Sequence, residues 1–94
     1  MSDLPPQELL EATHEFPCEF MFKAIGANQD GFVELVVAGV REVLGLEVDP
    51  PYEIKQTSGG RHLSLTITPQ VESAAQVLAI YERIRTIDGL VMML

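Results

Sequence analysis

The chain has 94 residues, of which 47% are hydrophobic, and a formal net charge of −8 from 14 acidic and 6 basic side chains. This length fits one domain that buries enough apolar surface to fold without disulfides, and the composition excludes a wholly disordered chain. The negative charge opposes nonspecific binding to nucleic acid phosphates and anionic lipids.

The chain also lacks the sequence marks of export. Its one cysteine, Cys18, cannot form an internal disulfide, and the first residues lack the basic and apolar regions of a secretory signal. No apolar run approaches the about 18 residues of a membrane-spanning helix. We therefore expect a cytoplasmic protein with no nucleic acid or membrane partner.

Residues 1–15 form an acidic leader that contains no Lys or Arg. Half of the net charge lies here, together with Pro5 and Pro6. We expect a flexible N-terminal arm, with one helical turn around Leu9 and Leu10.

The first strand and first helix are predicted next. Residues 16–25 alternate, with Pro17 at the strand's entry, and Asn28 or Asp30 is a candidate helix cap. Apolar residues then recur at helical spacing over 29–44, and Gly45 is a plausible C-cap. Gly39 lies near the packed stripe, where it would allow the helix to approach the sheet closely.

Two strands and a tight turn follow. Residues 52–57 alternate in polarity, and residues 62–68 alternate strictly, with Leu63, Leu65 and Ile67 on one side. The turn at 58–60 contains two adjacent glycines, which favours a hairpin.

A second helix and a last strand complete the predicted order. Ser73 and Gln76 match a capping box ahead of an amphipathic segment. Gly89 ends that helix, and residues 90–94 form a short final strand.

The order βαββαβ predicts an α+β fold. We expect a ferredoxin-like plait: a four-stranded antiparallel sheet in the order 4-1-3-2, with two helices on one face. Residues 16–94 form this single domain.

The chain also resembles the YbeD-like family of small bacterial proteins of unknown function. The resemblance spans residues 16–94 and rests on short motifs: Phe16-Pro17, Phe20, Phe22, Lys23, Gly26, Ser58, Ser64, Thr66, Val77, Tyr81, Ile87-Asp88 and Met92-Met93-Leu94. It implies a plait similar to the ACT-type regulatory domains of metabolic enzymes, with no established activity. It therefore favours a protein that binds a ligand or a partner.

The uncovered face of the predicted sheet has an apolar half. Alternation places four side chains there: Met21, Ile25, Val91 and Met93. A contiguous exposed apolar group is typical of a protein contact, so we predict a partner site or a homodimer through this face or its edge. The alternative explanation is structural: the leader or the side chains of neighbouring strands partly shield these four residues.

The other half of this face, with its hairpin end, is basic and polar. The candidate ligands for a small anionic metabolite are Lys23, Asn28, Lys55, Arg61, His62 and Ser64. Exposed strand lysines also serve to keep an edge soluble and unpaired, and Asn28 is also a candidate helix cap.

The sequence gives little support to catalysis, metal binding or RNA binding. His62 and Ser64 lie two residues apart on one strand with no evident carboxylate to orient the imidazole, so an enzyme using this hairpin is only the alternative hypothesis. Lone Cys18 cannot supply two soft metal ligands, and the central strands lack the outward aromatics of RNA-binding plaits. We therefore predict a non-enzymatic regulatory or adaptor protein without a cofactor or metal.

Overall fold

The structure, a computed structural model, describes residues 5–94. In this range the chain forms three helices and six strands. In chain order they are α1 (Gln7–Thr13), β1 (Cys18–Glu19), β2 (Phe22–Ala27), α2 (Phe32–Leu44), β3 (Tyr52–Gln56), β4 (His62–Ile67), β5 (Gln70–Val71), α3 (Ala74–Arg85) and β6 (Leu90–Met93).

Four strands form one antiparallel sheet in the order β3-β4-β2-β6. Alternate residues of β2 and β4 point to the helix side and are buried, as Ala24 opposite Leu65 illustrates. They meet the apolar stripes of α2 and α3, including Val36 and Ile80, in one core cluster. Both helices therefore pack on the same face, because each has one apolar stripe to bury.

This architecture confirms the α+β class, but the elements are more numerous than predicted. The predicted strand over 16–25 is two strands, because β1 leaves the main sheet and pairs with β5, with Cys18 opposite Val71. The third helix, α1, lies in the leader. The prediction of two helices and a single four-stranded sheet was therefore incomplete.

The helix in the leader is a packed element. Leu10 is buried in the core cluster, and α1 contacts α3. Residues 1–4 of the predicted arm lie outside the described residues. Whether the segment 1–15 moves in solution stays a prediction.

Glycines define the ends of α2. Gly31, with φ 89°, is the N-cap and supplies no side-chain hydrogen bond, so the prediction of Asn28 or Asp30 as the cap was wrong. At the other end Gly45 has φ 67°, and the Leu46 N–H donates to the Arg41 carbonyl at 3.0 Å. The predicted C-cap is confirmed, since glycine adopts this left-handed conformation without a Cβ clash.

Ser73 is the N-cap of α3 as predicted, and Gln76 makes a variant of the predicted capping box. The Gln76 N–H donates to Ser73 Oγ at 3.3 Å, and Gln76 Oε1 accepts from the Glu72 N–H at 2.7 Å. The first bond satisfies a backbone donor of the first turn, and the second satisfies the N–H of Glu72, which precedes the N-cap.

Two buried glycines allow close packing. A Cβ at Gly26 would overlap the ring of Phe32, so α2 and β2 can meet only over a glycine. A Cβ at Gly39 would lie 3.1 Å from Arg83 Cγ. The close approach at Gly39 is therefore between α2 and α3 and not, as predicted, between the helix and the sheet.

Candidate functional site

The open face of the main sheet lies opposite the helices. The cross-strand register places its side chains in rows, with Ile25, Ser64 and Lys55 in one row and Lys23, Thr66 and Glu53 in the next. Each of these side chains is at least partly exposed. The sequence predicted this face correctly across β2, β4 and β3.

An apolar patch lies where β2 meets β6. It consists of Ile25, Val91 and Met92, of which Val91 and Met92 are 57% and 47% exposed. Met21 is 62% exposed but precedes β2 and is separated from Ile25 along the strand by Lys23. Ile25 pairs directly with Met92, so their side chains lie side by side. Ile25 and Val91 were predicted from the sequence, and the predicted Met21 lies apart from them, beyond Lys23 along the chain.

Met93 does not belong to this apolar patch. The register of β6 shifts between Ile25 and Gly26, which pair with Met92 and Leu90. Met93 therefore pairs with Ala24 on the helix side and packs against the core. The predicted outward position of Met93 was wrong because a bulge reverses simple alternation.

A shallow depression of about 550 Å³ forms the polar half of the open face. It contains three of the predicted anion ligands, Lys23, Lys55 and Ser64, together with Glu53. The sequence placed Glu53 on this side of the strand but not in the site. Its carboxylate lowers the positive potential that an anion would meet.

The remaining predicted ligands lie at the hairpin end. Asn28 Nδ2 donates to the Gly60 carbonyl at 2.8 Å, and the Asn28 N–H donates to the Arg61 carbonyl at 3.0 Å. Asn28 thus fastens the loop after β2 to the hairpin. Arg61 and His62 are exposed nearby.

A groove of about 800 Å³ between α2 and β3 was not predicted. Tyr52 and Ile54 point to the helix side yet remain 42% and 49% exposed, because the helices do not cover this edge strand. Val37 forms part of the wall, and Arg41 donates to Asp49 Oδ1 at 2.5 Å at the rim. Alternation indicates the side to which a residue points but not how far the helices extend over it.

A smaller cavity of about 490 Å³ lies between α3 and β6. Tyr81 and Arg85 line it together with the last residues of the chain. The Tyr81 ring meets Phe22 edge-on, with centroids 5.2 Å apart, and burial raises the pKa of its phenol.

His62 and Ser64, on the open face, are the side chains of the enzyme hypothesis. Within residues 5–94 neither the His62 nor the Ser64 side chain makes a hydrogen bond to another protein group. In the same part of the chain no three His, Cys, Asp or Glu side chains are grouped to hold a metal ion. Among the described helices, none is long and apolar enough to span a bilayer.

Comparisons with known proteins identify a family model and relatives that this chain resembles. A family model described as a protein of unknown function, DUF493, matches residues 11–94. UPF0250 protein PM1928 of Pasteurella multocida is 34% identical over 89 residues, which cover 95% of this chain and 99% of the relative. UPF0250 protein NE1487 of Nitrosomonas europaea is 33% identical over 72 residues, which cover 77% of this chain and 83% of the relative.

A solved structure has the same fold. The solution structure of protein HP0495 from H. pylori superposes with a TM-score of 0.68 and covers 99% of this chain and 98% of its own. Its sequence is 19% identical, so the likeness concerns the fold.

Proposed function

The chain belongs to the DUF493/UPF0250 family, which confirms the YbeD-like resemblance, and on this premise we propose that it is a small adaptor or regulatory protein that docks a protein partner on its open sheet face. The protein acts by binding and not by catalysis. A partner that binds one conformational or assembly state of this chain more tightly than another raises the population of that state.

The apolar patch of Ile25, Val91 and Met92 carries this proposal. Ile25 and Met92 lie side by side, and Val91 and Met92 are about half exposed, whereas exposed apolar residues on a monomer are usually scattered. Apolar groups next to the polar row of Ser64 and Lys55 provide the apolar centre and polar rim that protein interfaces combine.

The test compares variants in affinity capture from an extract of the organism that makes the protein. Met92→Ser removes an apolar side chain at the centre of the patch. Leu35→Ser is the matched control, because Leu35 is 54% exposed on α2, in the helix layer. A partner retained by the parent and by Leu35→Ser, but lost from Met92→Ser, supports the proposal.

Retention of the same proteins by all three forms would show that the patch is not the docking surface. Circular dichroism checks that both variants fold, since each substitution alters a side chain that is about half exposed.

A small anionic metabolite is the second candidate, favoured by the depression that brings Lys23 and Lys55 together. Titration with citrate or inorganic phosphate should shift the amide signals of Lys23, Lys55 and Ser64. Glu53→Gln should strengthen the binding, because it removes the opposing charge. Unchanged shifts in both proteins would reject this candidate.

The enzyme hypothesis based on His62 and Ser64 gains no support from their geometry. It stays a prediction, and loss of an activity in His62→Ala, if a substrate screen finds one, is its test.

A further inference from the structure

The edge strand β3 is regular and unusually open. It pairs with β4 without interruption from Tyr52 to Gln56, and within residues 5–94 no second strand lies beside it. All five of its residues are exposed. Such an edge presents backbone groups that another strand can bind.

The hydrogen bonds at its two ends show which groups are free. The Thr57 N–H donates to the His62 carbonyl at 2.9 Å, and the Thr68 N–H donates to the Pro51 carbonyl at 3.0 Å. In an antiparallel ladder, hydrogen-bonded and non-bonded pairs alternate. Residues 51, 53, 55 and 57 therefore bond to β4, and residues 52, 54 and 56 direct their N–H and C=O groups outward.

The side chains of β3 are complementary to a second, reversed copy of the same strand. We propose that two copies of the protein form a two-fold symmetric dimer in which their β3 strands pair antiparallel about Ile54. Ile54 then faces the partner's Ile54, and Tyr52 faces the partner's Gln56. Glu53 lies opposite the partner's Lys55, and symmetry repeats this pair of opposite charges.

The charges select this register over its neighbours. A two-fold axis through Glu53 places two glutamates opposite each other, and an axis through Lys55 does the same with two lysines. Like charges directly opposite in a sheet destabilise it. The axis through Ile54 avoids both and pairs all five residues of the strand.

This register also uses the free backbone groups. Ile54 with the partner's Ile54, and Tyr52 with the partner's Gln56, become hydrogen-bonded pairs. Glu53 and the partner's Lys55 become a non-hydrogen-bonded pair, in which side chains lie closest. On the helix side, the half-exposed Tyr52 and Ile54 side chains of both copies meet, which continues the floor of the groove beside α2.

The dimer leaves the apolar patch free. That patch lies at β6, the opposite edge of the sheet, so docking of a partner there and pairing of β3 do not compete. Either proposal can therefore fail without the other.

The main experiment is sedimentation equilibrium of the full chain and its charge-reversed variants from micromolar to millimolar concentration. Glu53→Lys alone and Lys55→Glu alone each place two like-charged pairs at the interface, so each should weaken the dimer about tenfold or more. An equimolar mixture of the two variants restores two opposite-charge pairs. The mixture should therefore form a heterodimer about as tight as the parent dimer.

Control variants change the same charge elsewhere. Arg61→Glu matches Lys55→Glu, and Glu15→Lys matches Glu53→Lys, at exposed positions outside β3. Both should dimerise as the parent does. A parent chain that is monomeric at millimolar concentration, or single variants that dimerise as well as the controls, would overturn the proposal.

Amide hydrogen exchange tests the register itself. The amides of Tyr52, Ile54 and Gln56 should exchange more slowly as the protein concentration rises, while that of Lys55, already bonded to β4, should change less. A dimer in which the Ile54 amide is not further protected would place the interface elsewhere and would overturn the proposal.

Discussion

The two edges of the main sheet differ in regularity. β3 keeps one register along its whole length, whereas the pairing of β2 with β6 shifts between Ile25 and Gly26. A bulge twists an edge and interrupts its row of free backbone groups, which hinders pairing with another strand. The comparison indicates that a partner would meet side chains, including Met92, at the β6 edge. At the β3 edge it would meet free backbone N–H and C=O groups.

Gly26→Ala should disrupt the β6 side and have the largest effect. The added methyl group would overlap the Phe32 ring, so we expect a loss of about 3 kcal/mol in the free energy of unfolding. Urea denaturation measures it. In a double-mutant cycle with Phe32→Leu, the double variant should lose less than the sum of the single losses, because a smaller side chain relieves the overlap. Additive losses would contradict this account.

Proline substitutions sharpen the assignment of the β3 edge. Lys55→Pro removes an N–H that bonds to β4, whereas Ile54→Pro removes one that faces outward. We expect Lys55→Pro to cost about 2 kcal/mol more in the free energy of unfolding. Urea denaturation at low micromolar concentration, where dimers are scarce, makes the comparison. Equal losses of unfolding free energy in the two variants would mean that the inward and outward N–H groups of β3 are assigned wrongly.

Asn28 joins the loop after β2 to the hairpin, and its effect should be smaller. Asn28→Ala removes the hydrogen bond to the Gly60 carbonyl and should lower the free energy of unfolding by about 1 kcal/mol. Asp30→Ala, in the same loop, should change it by less than about 0.5 kcal/mol, since Asp30 does not cap α2. Similar losses in the two variants would show that the tie at Asn28 contributes nothing specific.

The smallest predicted effect is a pH dependence beside the β6 edge. Burial raises the pKa of Tyr81 above its ordinary value, so the unfolded chain ionises first as the pH rises. The contribution of Tyr81 to stability is full below about pH 10 and declines above it. Tyr81→Phe should show a shallower alkaline decline in the free energy of unfolding. Tyr52→Phe is the control, because it removes a hydroxyl at the other edge of the sheet. Equal slopes of unfolding free energy against alkaline pH in the two variants would contradict the role given to Tyr81.

Local patterns predicted much of this fold. Period-two alternation located β2, β3 and β4, and the chemistry of Ser73 and Gly45 located two helix ends, because these signals depend on neighbours in sequence. The β1–β5 ribbon escaped prediction since two-residue strands have no measurable period. The helix α1 has a single buried residue, Leu10, so its sequence resembles an exposed polar segment.

The candidate sites, too, were predicted correctly only where neighbouring strands pair in a regular register. Ile25, Lys23, Lys55 and Ser64 share the open face as predicted, because they lie in uninterrupted ladders. Met93 was misplaced because a register shift depends on how two distant strands fit together. The groove at β3 depends on the width of the helix layer relative to the sheet, which no local pattern encodes.

The positions of Tyr52 and Tyr81 provide a spectroscopic consequence. The chain has two tyrosines and no tryptophan, so no indole absorbs their emission. Tyr52 lies exposed on the β3 edge, and Tyr81 packs against Phe22 beside β6. Each edge of the sheet thus carries its own intrinsic fluorophore, and Tyr52→Phe and Tyr81→Phe separate the two signals without an added label.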